Sequence, residues 1–128
     1  MVARGKSVSE GWLRERLEQA IAWRETVAAG AEAFRLVHGE GDGLPSLVVD
    51  RYADHLAIQT LSQGTERAKA EIVDILVDLL HPQGVVERND PKVRGLEGLD
   101  QTVSVLHGQV PDTVEVNEGD THVKIWVW

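Results

Sequence analysis

A glycine-rich run that leads into another strand, rather than into a helix, is the feature that most limits how this chain can fold. Residues 33–61 read AFRLVH, GEGDG, LPSLVVDRY, AD, HLAIQTL. In the first piece Phe34 and Leu36 alternate with Arg35 and Val37, the period of a strand. SLVVDRY and HLAIQTL are two further short apolar runs. Between them lie only Ala53 and Asp54, the length of a tight hairpin connection. The expectation is a three-stranded meander across residues 33–61.

A Gly-x-Gly-x-Gly after a strand also opens many nucleotide and methyl-donor sites. Such a site needs a helix next, whose N-terminal amides and dipole meet the anion. Here Pro45 and the β-branched pair Val48 and Val49 follow, and Glu40 and Asp42 would repel phosphate. Gly39, Gly41, Asp42, Gly43 and Pro45 are therefore assigned to a structural turn. Gly41 and Gly43 can take positive φ at little cost, and Asp42 tolerates turn geometry. The alternatives are a ligand loop, or a divalent-ion site on Glu40, Asp42 and Asp50, which lacks calcium-loop spacing.

Upstream, Ser7 and Glu10 match a capping box, with Ser9 a rival cap. Leu13, Leu17, Ala20 and Ile21 follow at helical spacing, with Trp12 and Trp23 near that face. This helix should end near Ala29 and Gly30. Downstream, Gly64 and Thr65 open a second helix with Thr65 as N-cap. Ala68, Ile72, Ile75, Leu76, Leu79 and Leu80 form its apolar face. Pro82 stops it and Gly84 suits the exit. GVVERND and TVSVLHG read as strands four and five around a charged loop, PKVRGLEGLD. The end, TVEVNEGDTHVKIWVW, reads as a hairpin turning at residues 117–120. The fold class is α+β: an N-terminal helix, a meander, an amphipathic helix, then strands and a terminal hairpin, in a mixed sheet packed by helices. Residues 1–30 are expected to be a linker-like helix and residues 31–128 the domain proper.

The chain has 128 residues, one domain's length, and no Cys, which removes disulfides, thiolate metal sites and a Cys nucleophile. No apolar run approaches the roughly 20 residues of a membrane span, so no membrane partner is expected, and the expected setting is the cytoplasm. Net charge is −8, from 13 basic and 21 acidic residues, so any RNA contact must come from a local patch or a partner domain. Arg88, Lys92 and Arg94 are the best such patch: a strand end and loop suited to RNA or interdomain contact, or else to internal ion pairing. The histidines at 38, 55, 81, 107 and 122 lack metal-type pairing. Glu87, Asp90 and Glu97 could do acid–base work only if the fold brought them together.

FRLVHGEGDGLPSLVVDRYADHLAIQTLSQG, an amphipathic helix and then GVVERNDPKVRGLEGL resemble, in that order and spacing, the central domain of a methyltransferase family. These are the PUA-domain-containing, S-adenosylmethionine-dependent enzymes that make 5-methylcytosine in large-subunit (23S) rRNA. The resemblance covers roughly residues 10–120. It implies an RNA-binding PUA domain before this segment, and after it a Rossmann-like domain holding the methyl donor and a catalytic Cys. Neither is expected in this chain, so no catalytic, cofactor-binding or metal-binding residue is assigned to it. S-adenosylmethionine and rRNA belong to the full-length family. The resemblance thus implies a non-catalytic module that orients its neighbours. The alternative is a self-standing interaction domain, a possible homodimer joined through its terminal strand. Two positions depart from the family. Ser46 stands where Gly is frequent, which predicts no need for positive φ there, and KIWVW does not resemble the family's continuation.

Overall fold

A computed structural model describes residues 8–27, 33–44, 46–89, 93–96, 98–111, 113–118 and 121–126. Helix α1 (Val8–Val27) precedes strand β1 (Ala33–His38), a 3-10 turn (Gly39–Asp42), β2 (Leu47–Tyr52) and β3 (His55–Thr60). Then come α2 (Gln63–Arg67), α3 (Lys69–Leu80), β4 (Gly84–Asn89), α4 (Val93–Leu96) and β5 (Thr102–Gly108). The hairpin of β6 (Thr113–Glu118) and β7 (Thr121–Trp126) ends the described chain.

The architecture is α+β. Five strands form a mixed sheet in the order β1-β2-β3-β4-β5. The first three are the antiparallel meander, with Val49 opposite Val37 on one side and Ile58 on the other. The α2–α3 crossover makes β4 parallel to β3, and β5 returns antiparallel to β4. The hairpin of β6 and β7 is a separate two-stranded sheet.

Helices α1 and α3 cover one face of the sheet. Leu13, Leu17, Ala20 and Ile21 of α1 and Ile72, Ile75 and Leu76 of α3 are buried against Leu36, Leu47, Val49, Leu56, Ile58 and Val85. The helical spacing read in the sequence thus marks the faces that pack. The opposite face has a smaller apolar centre, Ala57 and Val86, flanked by Ala33, Tyr52, Ala53 and Val110. At its β5 side Val103 and Val105 remain 43% and 40% exposed.

Local chemistry moves several boundaries. The crossover is two helices, and Ser62, not Thr65, is the N-cap of α2. The Ser62 hydroxyl accepts from the Thr65 N–H at 3.2 Å, and the Ser62 N–H donates to the Thr65 hydroxyl at 3.2 Å. Helix α3 ends on His81 in the left-handed region, φ 48°, with its N–H bonded to the Val77 carbonyl. Gly84 serves a different purpose from a helix exit. It opens β4 directly beneath the Gln109 backbone, where a β-carbon would collide with the Gln109 carbonyl. Ser46 corrects the expectation drawn from its identity: it sits at φ 67°. Leu47 returns its N–H to the Leu44 carbonyl and Leu61 its N–H to the Ser46 carbonyl, so the backbone is pinned there whatever the side chain. Ser7, Ala29, Gly30 and Pro45 lie outside the described residues.

Candidate functional site

The glycine-rich turn comes first. It joins β1 to β2, and the positive φ angles fall on Gly39 (51°) and Gly43 (70°), not on Gly41. Asp42 accepts from the His38 N–H at 2.6 Å and from Arg24 Nη2 of α1 at 3.0 Å. Arg16 lies over the Trp12 ring, 5.6 Å from its centroid. A β-carbon at Gly43 would come within 3.4 Å of the same guanidinium. The turn is therefore tied to α1 through the Arg24–Asp42 ion pair, with Arg16 lying alongside Gly43. The ion reading meets a different geometry: Asp42 is taken by Arg24, while Asp50 pairs with Arg35 at 2.8 Å. No group of three possible metal ligands occurs among the described residues.

The charged stretch after β4 is the second candidate, and its members separate. Lys92, Asp90 and Glu97 lie outside the described residues. Arg88 belongs to the open face of the sheet, alternating with Glu87 on the covered face. Its charge favours the Tyr52 phenolate, although burial and then the Asp50 charge prevail and raise the Tyr52 pKa. Arg94 goes the other way and is 2% exposed. Its Nε donates to the Asp100 carbonyl at 2.8 Å, and its Nη1 donates to the Thr60 carbonyl and, at 3.1 Å, to Glu66. Arg94 is thus no surface contact. It fastens α4 to the ends of β3 and α2, an internal ion pairing that the sequence left open as an alternative.

Arg94 is one end of a polar network built around Glu87, 5% exposed on the covered face of β4. Glu87 Oε1 accepts from Lys69 Nζ at 3.0 Å, Asn89 Nδ2 at 2.8 Å and Thr102 Oγ1 at 2.8 Å. Its Oε2 accepts from Ser104 Oγ at 2.6 Å. Lys69 also pairs with Glu66 at 2.9 Å, and the Thr60 hydroxyl donates to Glu66 at 2.7 Å. Asn89 Oδ1 accepts the Thr60 N–H at 2.7 Å. One carboxylate thereby ties together β4, β5 and α3, and through Lys69 and Asn89 reaches α2 and β3.

Burial would raise the Glu87 pKa, but the hydrogen bonds from Ser104, Asn89, Lys69 and Thr102 outweigh it and hold the carboxyl at about 2. Glu66 is lowered in the same way: burial opposes, and Lys69, Thr60 and Arg94 prevail. Burial would lower Lys69, and its two carboxylate partners raise it instead. A general acid or base works best with a pKa near the working pH and an open route to its proton. Glu87 has neither property and acts as a fixed anion.

An apolar recess of about 290 Å³ lies between Trp12 and Leu13 of α1, Leu44, Leu47 and the α2–α3 junction at Ala68 and Ile72. Sequence reading missed this recess and the network. A weak signal for the network existed, since Glu87 and Asn89 share the β4 register of Val85, which faces the helices.

Comparison with known proteins gives these features a setting. The chain is 34% identical over 125 residues to a ribosomal RNA large subunit methyltransferase I of Aliivibrio fischeri, covering 95% of this chain and 32% of that protein. It is 40% identical over 115 residues to the protein of that name from Vibrio cholerae, covering 88% of this chain and 29% of the relative. No family model matches. Among solved structures, a protein from Streptococcus mutans described as a candidate SAM-dependent methyltransferase superposes over 97% of this chain and 32% of its own, with TM-score 0.76 and 17% identity. A candidate methyltransferase crystallised with SAH gives TM-score 0.77 at 17% identity, over 97% of this chain and 31% of its own. At such identity these two establish the fold. The chain spans about a third of the length of the curated relatives it matches. It is an rRNA-methyltransferase-related α+β domain.

Proposed function

We propose that this chain is a non-catalytic module of an S-adenosylmethionine-dependent rRNA methyltransferase that makes 5-methylcytosine in the cytoplasm. Its task is to hold an RNA-binding PUA domain and a catalytic domain in fixed relation around the RNA. One observation carries this reading: the cluster most like an active site, Glu87 with Lys69, Glu66 and Arg94, spends its hydrogen-bonding capacity on the domain's own elements. The glycine-rich turn supports it, because it leads into β2 rather than a helix and so lacks the amide cradle of a donor site. Addition of a thiolate to the cytosine ring needs a Cys that this sequence does not contain.

The role in RNA contact falls to Arg88 and Lys92. In a full-length parent enzyme, Arg88→Glu with Lys92→Glu should weaken rRNA binding and flatten its salt dependence, with the methyl-donor affinity unchanged. Unchanged RNA binding in that double variant removes these residues from the RNA path. Arg94→Glu serves as the contrasting variant: it should unfold the domain rather than selectively weaken RNA binding.

A further inference from the structure

We propose that the outer edge of β5 is a self-pairing surface through which two copies of this chain join their sheets, antiparallel, across a two-fold axis at Ser104. This goes beyond the orienting role and does not depend on it. The sequence pointed to the terminal strand for such contact; the structure favours β5.

Strand β5 ends the five-stranded sheet, and no described strand pairs with its outer side. Thr102, Val103, Ser104 and Val105 are all exposed. Natural edges are guarded by charge, proline or a bulge. The opposite edge, β1, carries Arg35 and a bulge beside it. TVSVLHG contains no Lys, Arg, Asp, Glu or Pro, and its irregularity falls after Val105, clear of the exposed stretch.

The chain's own hairpin does not pair with this edge. Gly108 at φ 61° turns the backbone, and Gln109 donates its N–H to the Gln83 carbonyl at 3.2 Å. Val110 then packs beside Ala57 and Val86 on the open face. Gln109 approaches Gly84 closely at the start of β4, and β6 pairs with β7 rather than with β5.

The strand is complementary to itself. Centred on Ser104, antiparallel pairing sets Val103 opposite the partner copy's Val105 and Thr102 opposite Leu106. The four valines meet on the open face, where cross-strand β-branched pairs stabilise a sheet. On the covered face, Thr102 and Ser104 are already held by Glu87, so little order is lost on pairing. An open groove of about 220 Å³, lined by Lys69, Ala70, Val73, Asp74 and Leu106, runs between α3 and this edge.

Pairing of one short strand is expected to bury less than the roughly 1,200 Å² of a stable complex, so association should appear only at high concentration. The test is sedimentation equilibrium of the whole chain from roughly 10 µM to 1 mM, a range suited to weak interfaces, with backbone amide shifts followed in parallel. The expected mass rises from 14.1 kDa toward twice that value, with shifts centred on residues 102–106. Val103→Lys with Val105→Lys should abolish the rise while Trp23→Ala leaves it intact. A constant monomer mass overturns the proposal. So does association that survives the double lysine variant with an unchanged circular dichroism spectrum, or shifts that map to α1 or the β6–β7 hairpin. Should the lysine variant fail to fold, the amide map of the unaltered chain still decides.

Discussion

Glu87 shows how a single buried charge is tolerated. Four donors from three elements compensate its desolvation, and the result is a carboxyl held near 2. The sign of the pH effect follows. A folded pKa below the ordinary 4.5 stabilises the fold above that value, and the stabilisation is lost as pH falls from about 4.5 toward 2. A shift of that size corresponds to about 3 kcal/mol. Urea midpoints measured from pH 6 down to pH 2 should fall steeply across this window, and Glu87→Gln should flatten the fall. The same substitution at pH 7 should cost about 2–3 kcal/mol, since Lys69 keeps its charge while losing an anionic partner. Ser46 offers a substitution of opposite sign. At φ 67° a serine is strained, so Ser46→Gly should stabilise by up to about 1 kcal/mol, read as a rise in melting temperature.

At the scale of elements, α1 is joined to the sheet by packing and by the turn. Leu17 and Ile21 supply the apolar contact, while Arg24 and Arg16 reach Asp42 and Gly43. Asp42→Ala should remove the acceptor for both the Arg24 side chain and the His38 N–H. Hydrogen exchange should then speed up in α1 and in the turn, with β3 and β4 unaffected; uniform acceleration would contradict a local clamp. Periodicity made these elements readable. Leu13, Leu17, Ala20 and Ile21 marked the buried stripe of α1, and the two-residue gap at Ala53 and Asp54 marked the β2–β3 hairpin. Their boundaries were less readable because competing caps differ by a few atoms. Ser62 and Thr65 are both good N-caps, and only their reciprocal hydrogen bonds decide for Ser62. Ser62→Ala should cost about 1 kcal/mol of stability.

At the scale of the molecule, the sequence could not reveal what depends on convergence. Thr60, Glu66, Lys69, Glu87, Asn89, Arg94, Thr102 and Ser104 come from six elements, and nothing local marks them as neighbours. Arg94 and Arg88 are close in sequence and invite a single basic patch. Strand alternation and the fold of α4 place them on different sides of the sheet. Gly84 likewise looks like a helix terminator and is in fact the point where the Gln109 backbone passes too close for a β-carbon. The resemblance to rRNA methyltransferases was legible because it rests on ordered local motifs, and relatives at 34–40% identity carry the same stretch. In the proposed role, this stretch orients chemistry carried out elsewhere. A methyl-transfer assay on the 128-residue chain, with labelled S-adenosylmethionine and large-subunit rRNA, tests it most directly. Incorporation should stay at the level of the protein-free control; turnover above that level, lost on heat denaturation, would contradict the proposed role.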